Sequence, residues 1–594
     1  MASMEKQSLP LLEEQQQPRR TQKTWIVKRT FSVLALGIIT IFLAKPLIHD
    51  LRDRFQPPHK GHNHPGKHHH KDFASFCEQP DPLFPPQHEK LDQAYEFLST
   101  PEFKNASIKR HSGAVQIPTQ SFDDLGPVGE DKRWDALYPF TDYLAATFPR
   151  IHKELKLEKI NTHGKVYTWE GSDSSLKPLI LMAHQDVVPV PDSTVDAWTH
   201  PPFSGFFDGK FIWGRGSSDC KNQLIAELET VETLLEYGFE PKRTIILAFG
   251  FDEEISGRQG AGRIAEFLIE RYGKDSIAAI VDEGAGLSNT WGTTFATPGV
   301  GEKGYTDVAI IIRKPGGHSS IPTDHTSIGI ASEIITAIES EQYPTYLADD
   351  SPFLDLLQCA AAHAEEFPNK LKKLLGARES RANVCKAKPD YLALEAAKLG
   401  KMVQYLMQTS QAVDEISGGV KVNALPERTE VTVNHRLNIG DTPEVVWNRL
   451  AKIAKPVAEK YNLSFHDFDG TKEEKESISL SASDTTLEVA PVTPTEVGEK
   501  DTPYSILAGT TRALYGEDII VSPGMMTGNT DTRYYWPITK HIFRYGPGYD
   551  PTWDKGLGNV HTVDEKISVV NHLNMVKWFM LFVRNVDGVR FEDE

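Results

Sequence analysis

The sequence is poor in cysteine and in positive charge for its length. Its 594 residues include four cysteines, Cys77, Cys220, Cys359 and Cys385, too few and too scattered for a disulfide framework or a cysteine-rich zinc module. Lys and Arg total 64 against 82 Asp and Glu, so the formal net charge is −18. Binding to a phosphate backbone requires a concentrated basic face. We therefore expect no nucleic-acid partner.

Long uncharged stretches are also scarce, and the most prominent one lies near the amino terminus. Residues 30–44 carry no charge and would span about 22 Å as a helix, against about 30 Å for a bilayer core. Flanking apolar residues and snorkelling lysines extend this length, so we predict one transmembrane anchor over residues 25–48. A cleaved signal peptide is the alternative, although no small-residue cleavage site follows. Basic residues before the segment predict a cytoplasmic amino terminus and a lumenal remainder.

The predicted anchor separates two polar segments from each other. Residues 1–24 are Gln/Glu-rich and are predicted to be a disordered cytoplasmic tail. Residues 49–75 contain a His-rich tract that we interpret as a solvated lumenal stalk, with weak metal binding as the alternative. Asn105 and Asn462 begin Asn-x-Ser sequons and are candidate glycosylation sites. The rest of the chain is long enough for more than one folded unit.

Polar side chains follow three predicted buried strands at the point where each strand ends. Residues 177–183 lead into His184-Gln185-Asp186, residues 244–249 into Asp252-Glu253-Glu254, and residues 277–281 into Asp282-Glu283-Gly284. Open α/β sheets bind ligands at the carboxyl ends of their strands. Each polar group alone has a structural explanation, but the three together favour a functional site.

Asp219 follows a glycine-rich loop and precedes a stretch with helical spacing. By itself it is explained as a helix N-cap. Together with His184, Glu254 and Asp282 it offers nitrogen and oxygen ligands suited to zinc, and one more distant His would complete two sites sharing a carboxylate. His561 is available, although spacing alone does not select it among 21 histidines.

Five blocks of the sequence resemble those of a known family. In chain order they are MAHQDVVPV, WGRGSSDCK, FGFDEEISG, VDEG and GNVHTVDE. They are similar to blocks of the two-zinc metallopeptidases of the M20 family, and more narrowly of the vacuolar carboxypeptidases of fungi. The resemblance begins near Phe76 and reaches the carboxyl terminus. It implies an α/β zinc-exopeptidase-like catalytic domain, a central β-sheet flanked by helices, in two halves (76–301 and 439–594) around an inserted α+β lid domain (302–438).

The resemblance also implies a role for each residue of the cluster. Two Zn²⁺ ions would be held by His184, Glu254, Asp282 and His561, with Asp219 bridging them. Asp186 would orient His184 through the second ring nitrogen. Glu253 would be the general base that takes a proton from the attacking water and returns it to the leaving amine. Mn²⁺ or Co²⁺ are alternatives to Zn²⁺, because carboxylate-rich paired sites accept them.

In the family, the lid also supplies groups that contact the substrate. His318 matches the Gly-His loop that stabilises the oxyanion, and Asn423 matches a second lid residue at the oxyanion or amide. Arg436 matches the lid arginine that binds a substrate carboxylate with two parallel hydrogen bonds. Arg533 is a second carboxylate-binding candidate. A structural salt bridge is the alternative for both arginines.

The stretch from Leu354 to Lys401 is longer than a minimal lid needs and has helical spacing. It contains Cys359 and Cys385, which are one candidate pairing in a lumenal protein, a question that sequence does not decide. Cys220 lacks a His-partner motif and is interpreted as a small buried neighbour of Asp219. The oligomeric state is left open.

The sequence therefore predicts a type II membrane protein with a lumenal, zinc-dependent carboxypeptidase domain that releases C-terminal residues from short peptides. The resemblance implies the vacuole membrane as its location. One alternative is an N-acyl-amino-acid hydrolase or synthase, whose substrate presents the same amide and free carboxylate. An alternative of another class is a noncatalytic metal-binding or sorting receptor, against which the complete ligand set and Glu253 argue.

Overall fold

The computed structural model describes residues 73–380, 388–470, 473–498, 501–553 and 558–592. The predicted tail, the predicted anchor and nearly all of the predicted stalk lie outside these residues. Within the described ranges, no helix combines the length and the apolar character that a membrane crossing requires. The described chain has an α/β architecture, as predicted, with two larger and two smaller sheets.

Strands and helices alternate through most of the described chain. The strands are β1 (Lys156–Ile160), β2 (Gly164–Trp169), β3 (Leu179–His184), β4 (Phe206–Phe207), β5 (Phe211–Trp213), β6 (Ile245–Gly250), β7 (Ala279–Ala285), β8 (Leu287–Thr290), β9 (Thr293–Ala296), β10 (Gly299–Glu302), β11 (Gly304–Arg313), β12 (Ala412–Gly418), β13 (Arg428–Leu437), β14 (Ser464–Asp467), β15 (Ser477–Ala482), β16 (Ile520–Val521), β17 (Gly524–Met526), β18 (Ile542–Tyr545) and β19 (Lys566–Ser568). The helices are α1 (Glu89–Phe97), α2 (Pro101–Val115), α3 (Leu137–Thr147), α4 (Pro149–Glu154), α5 (Lys221–Glu236), α6 (Ala261–Tyr272), α7 (Ser327–Ser340), α8 (Pro352–His363), α9 (Asn369–Gly376), α10 (Tyr391–Ala396), α11 (Lys401–Tyr405), α12 (Pro443–Lys460), α13 (Pro503–Tyr515) and α14 (Val569–Val586).

The central sheet has eight strands in the order β1-β2-β6-β3-β7-β18-β10-β17. Its inner strands β6, β3, β7 and β18 are mutually parallel. Every residue of β3 and β6 is buried, which explains their continuous apolar sequences, since parallel strands are covered on both faces. The three predicted strands therefore end at the same edge of the sheet.

Helices cover both faces of the central sheet. Leu179 and Leu181 of β3 belong to the core formed with α5, α13 and α14, whereas Ile180 and Met182 belong to the core formed with α6. Successive strand residues face opposite sides of a sheet, so β3 contributes to both cores. This packing on both faces fixes the position of the carboxyl end of β3 relative to the helices.

A second sheet of five strands, in the order β12-β13-β11-β15-β14, forms the lid. Helices α7 and α12 pack on it through apolar side chains such as Ile334 and Leu450. The sequence predicted that the lid ends at residue 438. In the structure, α12, β14 and β15 also belong to it, so the lid continues to Ala482. The boundary differs because β15 pairs with β11, a contact between residues far apart in the sequence.

Helices α8 to α11 form a separate insertion. Their apolar side chains pack with Phe295 of β9 and Ile520 of β16, in the catalytic part of the chain, and do not extend the lid sheet. Cys359 in α8 forms a disulfide with Cys77, so the candidate pairing with Cys385 was wrong. The partner is close because the short helical turn Phe73–Phe76 packs against this cluster. Cys385 lies outside the described residues.

Candidate active site

The polar residues predicted at the strand ends converge on one edge of the central sheet. His184 is the last residue of β3 and is 1% exposed. After β6 the chain passes Asp252 and forms a short helical turn over Glu253–Ile255. Asp282 and Glu283 lie in β7, the parallel neighbour of β3 on its other side. The parallel pairing of these strands therefore brings a histidine and several carboxylates together, although they are far apart in the sequence.

Asp219 lies between two histidines. Its Oδ1 is 3.0 Å from Nε2 of His184 and its Oδ2 is 3.0 Å from Nε2 of His561. The same nitrogen of His561 is 3.1 Å from Oε2 of Glu254. One carboxylate oxygen directed at each histidine is the arrangement expected of a ligand shared by two cations. Four of the five predicted metal ligands are thus in one cluster.

The fifth predicted ligand, Asp282, does not join this cluster in the described residues. Glu283 does so instead, with Oε1 3.3 Å from Nε2 of His184. The register between β7 and β18 shifts between Asp282 and Ala285, which marks a bulge where the usual alternation of side chains fails. Asp282 stays buried, at 2% exposure, and its Oδ2 has no hydrogen-bond partner in the described structure. Burial raises the pKa of Asp282 to about 6.

Asp186 positions two parts of the site. Nδ1 of His184 lies 3.0 Å from the backbone carbonyl oxygen of Asp186 and 3.3 Å from its Oδ1, so both the backbone and the side chain of Asp186 can orient this ring. Its carboxylate also accepts hydrogen bonds from the backbone N–H groups of Glu253 (3.1 Å) and Glu254 (3.2 Å), and from the hydroxyl of Ser121 (2.7 Å). Asp186 therefore fixes the distance between the histidine and the Glu253–Glu254 turn. Sequence reasoning missed Ser121, which carries no motif.

The turn that carries Glu253 and Glu254 is held close to the cluster by hydrogen bonds and tight packing. Asp252 closes the turn by accepting hydrogen bonds from the N–H groups of Gln259 (2.7 Å) and Gly260 (2.8 Å). Gly257 has φ +66°, and a Cβ there would lie 2.1 Å from Oδ1 of Asp531, so only glycine fits this close approach. Burial and the neighbouring charge of Glu283 raise the pKa of Glu253 well above its usual range.

The residues present fit a pair of divalent cations. The cluster offers two imidazole nitrogens and the carboxylates of Asp219, Glu254 and Glu283. Two buried carboxylate oxygens beside it, Oε1 of Glu254 and Oδ2 of Asp282, have no hydrogen-bond partner among the described residues. Neighbouring carboxylates repel one another unless a cation or proton intervenes, and buried polar atoms in native proteins are normally satisfied. A donor set of nitrogen and oxygen atoms suits zinc and also manganese or cobalt.

Cys220 follows Asp219 and is 1% exposed. Its thiol, a ring nitrogen of His184 and a carboxylate oxygen of Glu283 all lie within 4.8 Å of one another. Burial and the charge of Glu283 raise the pKa of the thiol well above its ordinary value. Cys220 is a buried free cysteine, as predicted, and not an activated nucleophile.

Glu565 joins the two loops that carry Asp219 and His561, a role that sequence reasoning missed. Its buried carboxylate forms an ion pair with Arg215 and accepts hydrogen bonds from the backbone N–H groups of Ser218 (2.9 Å) and Asp219 (3.2 Å). It belongs to the same block, GNVHTVDE, as His561. Glu565 contacts the backbone of Asp219, which is assigned as the shared ligand. It is therefore a positioning residue.

Replacing Glu565 by glutamine is expected to weaken metal binding by about 10- to 100-fold, the usual effect of losing a group that orients a ligand. Glutamine can still accept the two N–H hydrogen bonds but cannot pair with the Arg215 charge. Competition with a chelator measures the affinity, and circular dichroism checks the fold. Glu366→Gln, at an exposed position, is the matched control. Unchanged affinity in Glu565→Gln would contradict the positioning role.

The two predicted oxyanion residues of the lid lie beside each other and are exposed. His318 pairs with Ala424 as an isolated bridge, and the N–H of Ser319 donates to the carbonyl of Asn423 (3.2 Å). Nδ1 of His318 is 2.8 Å from the hydroxyl of Ser320. In the described part of the chain, no contact joins His318 or Asn423 to the histidine–carboxylate cluster. The structure thus groups these two residues together but separately from the cluster.

The two predicted carboxylate-binding arginines converge on one aromatic ring. The guanidinium carbon of Arg436, from lid strand β13, is 5.1 Å from the centre of the Tyr305 ring, and that of Arg533 is 5.9 Å from it. Arg436 donates to Oδ1 of Asn529 (2.8 Å). Burial opposes the charge of Arg533, but Glu253 raises the pKa of this guanidinium above its usual value. Among the described residues neither arginine has a carboxylate within 4 Å, so the alternative of a structural salt bridge is not supported.

Comparisons with known proteins place this chain in a family. The sequence profile described as "Peptidase family M20/M25/M40" matches residues 180–585. The chain belongs to this M20 family. It is 42% identical to carboxypeptidase S of Saccharomyces cerevisiae, over 96% of this chain and 98% of that protein. It is also 32% identical to the N-fatty-acyl-amino acid synthase/hydrolase PM20D1 of Bos taurus, over 80% of this chain and 86% of that protein.

Two solved structures share the fold. The M20 family metallo-carboxypeptidase Sso-CP2 from Sulfolobus solfataricus has a TM-score of 0.55 and 18% identity, covering 81% of this chain and 99% of its own. Human carnosine dipeptidase 1 has a TM-score of 0.55 and 15% identity, covering 85% of this chain and all of its own. Family membership and the histidine–carboxylate cluster identify this M20 protein as a metallopeptidase.

Proposed function

We propose that this M20 protein is a two-metal carboxypeptidase that releases the C-terminal residue of short peptides. The observation that carries the proposal is the pair of arginines at Tyr305: among the described residues neither Arg436 nor Arg533 has a carboxylate within 4 Å, and Arg533 senses the charge of Glu253. An unpaired guanidinium in a partly buried place is a receptor for a carboxylate. A peptide bound there by its free C-terminus would present its last amide to the cluster.

The chain's own residues supply binding, orientation and proton transfer. Two zinc ions, when bound by the cluster, would polarise the scissile carbonyl and lower the pKa of a water molecule. Glu253 takes the proton from the attacking water and returns it to the leaving amine. Asp186 holds His184 and the Glu253 turn at a fixed separation. His318 and Asn423 are assigned the role of stabilising the developing oxyanion.

Replacing Arg436 by alanine is expected to raise KM for a peptide with a free C-terminus by about 10- to 100-fold, because a charge-assisted hydrogen bond contributes about 1.5–3 kcal/mol. A peptide with an amidated C-terminus lacks that charge, so the preference for the free form should shrink in the variant. Steady-state kinetics with both peptides provides the measurement. Arg428→Ala, on the same strand but paired with Glu473, is the matched control. A preference that survives in Arg436→Ala would refute this substrate contact.

A second candidate function is hydrolysis or synthesis of N-acyl amino acids. It is favoured by the bovine relative, whose name states that activity, and by chemistry, because an N-acyl amino acid also presents an amide next to a free carboxylate. Side-by-side assays of a blocked dipeptide and an N-fatty-acyl amino acid with the full chain separate the two functions. Faster turnover of the dipeptide supports the carboxypeptidase, and turnover of the acyl substrate alone supports the second candidate.

We also propose that residues 25–48 anchor the protein in the vacuole membrane with residues 1–24 in the cytoplasm. The support is the uncharged run of residues 30–44 with basic residues before it. Asn105 and Asn462 are exposed and would then be available for glycosylation. Protease protection of sealed vacuoles, with and without glycosidase, tests the orientation, and cleavage of the main domain in sealed vacuoles would contradict it.

A further inference from the structure

Asn529 lies where the catalytic sheet and the lid sheet join. Strand β10 belongs to the central sheet and β11 to the lid sheet, and Lys303 is the residue between them. Nδ2 of Asn529 donates to the backbone carbonyl of Lys303 (2.5 Å). Its Oδ1 accepts a hydrogen bond from the guanidinium of Arg436, on lid strand β13 (2.8 Å). One amide side chain therefore links a loop of the catalytic part both to the junction of the two sheets and to a lid arginine.

The loop that carries Asn529 is held in place by buried polar contacts. The hydroxyl of Thr530, a residue that is 4% exposed, donates to Oε1 of Glu302 (2.9 Å), the last residue of β10. Glu302 also forms an ion pair with Arg544 (2.9 Å), and both of these side chains are fully buried. The carbonyl of Thr530 in turn accepts a hydrogen bond from Nε of Arg533 (3.0 Å). These contacts fix Asn529 and Arg533 relative to the central sheet.

Arg436 is held by a neutral group, unlike another arginine on the same strand. Among the described residues, Asn529 is the only side chain that accepts a hydrogen bond from the Arg436 guanidinium. Arg428 of β13 instead pairs with the carboxylates of Glu430 (2.7 Å) and Glu473 (2.8 Å), which balance its charge. An amide oxygen can orient a guanidinium without neutralising it, because the amide carries no charge. The positive charge of Arg436 can therefore attract an anion.

We propose that Asn529 is a positioning residue for recognition of the C-terminal carboxylate of the substrate. Its amide holds the guanidinium of Arg436 at the ring of Tyr305, where Arg533 also lies, so that the two cations can bind one carboxylate together. Burial lowers the pKa of Arg436, and the like charge of Arg533 acts in the same direction. A bound carboxylate would relieve this repulsion. The inference rests on the proposed carboxypeptidase function, because it concerns the same receptor.

Steady-state kinetics of the full chain with a free and an amidated peptide tests this role. The readout is the ratio of kcat/KM for the free peptide to kcat/KM for the amidated one. Asn529→Asp keeps the shape of the side chain, but its carboxylate would pair with Arg436 and compete with the substrate. We expect the ratio to fall by about 10-fold through a higher KM for the free peptide, with little change in kcat, since a hydrogen bond to a charged group contributes about that factor. Asn529→Ala leaves Arg436 charged but unsupported, and should lower the ratio by about threefold.

Asn369→Asp makes the same chemical change at an exposed position on α9 and should leave the ratio unchanged. Because Asn529 acts through Arg436, adding Asn529→Ala to Arg436→Ala should lower the ratio no further than Arg436→Ala alone.

The outcomes separate the positioning role from the proposed function. A ratio that falls in Arg436→Ala but survives in both Asn529 variants would overturn the positioning role and leave the proposed function intact. A ratio that survives in Arg436→Ala would overturn the receptor itself, and the inference with it. Equal losses of kcat/KM for the two peptides in the Asn529 variants, or a further fall in the double variant, would show that Asn529 does not act through Arg436 and would also overturn the inference.

Discussion

Replacing Glu253 by glutamine is expected to lower kcat by about 10²- to 10⁴-fold, the usual contribution of a general acid–base group. Glutamine has the same shape but cannot accept the proton of the attacking water. The backbone N–H of residue 253 donates to Asp186 in either variant, so the turn and the neighbouring ligand Glu254 should stay in place. Metal content should therefore be unchanged while turnover of a blocked dipeptide is lost.

The same experiment separates the enzyme from the noncatalytic metal-binding receptor. Metal analysis and steady-state kinetics are measured on Glu253→Gln and on the control Glu366→Gln, whose side chain is exposed. In a receptor that uses the cluster only to bind metal, replacing Glu253 would leave metal binding and the receptor function unchanged. Full activity in Glu253→Gln would exclude the assigned base, and loss of metal in this variant would show that Glu253 is a ligand.

Replacing Asp219 by asparagine is expected to have the largest effect on metal binding, because Asp219 is the residue that contacts both histidines. An amide offers one oxygen and no charge, so it cannot serve two cations together. We expect metal content to fall below one ion per chain and activity to fall by at least about 10³-fold, equivalent to several kcal/mol of transition-state stabilisation. Elemental analysis and kinetics measure the two quantities.

Asp219→Asn should also lose the stabilisation that bound metal gives the fold. A ligand present at 1,000 times its Kd stabilises the native state by about 4 kcal/mol, so added zinc should raise Tm of the unsubstituted chain and have little effect on the variant. Asp123→Asn, at an exposed position, controls for the change of charge. Two metal ions retained by Asp219→Asn would contradict its role as the shared ligand.

Much of the catalytic fold could be predicted from sequence because the central strands are buried on both faces. The predicted strands at 177–183, 244–249 and 277–281 are confirmed as β3, β6 and β7. Parallel strands covered by helices must be apolar throughout, so the first polar residue after each run marks the edge where the site forms. The placement of His184 and of the Glu253–Glu254 turn follows from this rule.

Other features depended on geometry that no local pattern carries. Whether Asp282 or Glu283 faces His184 is decided by the bulge between β7 and β18, and a bulge breaks the period of two on which such assignments rest. The partner of Cys359 is set by how the turn Phe73–Phe76 packs on the insertion. Glu565 and Ser121 act through backbone N–H groups and another side chain, contacts that spacing in the sequence does not reveal.

The most direct test of the central claim is release of the C-terminal residue from a blocked dipeptide by the purified full chain, together with its metal content, before chelation, after chelation and after zinc is restored. The account predicts about two zinc ions per chain, loss of cleavage with loss of zinc, and recovery of both on adding zinc back. Cleavage that continues in the metal-free protein, or a fully loaded protein that releases no C-terminal residue, would contradict it.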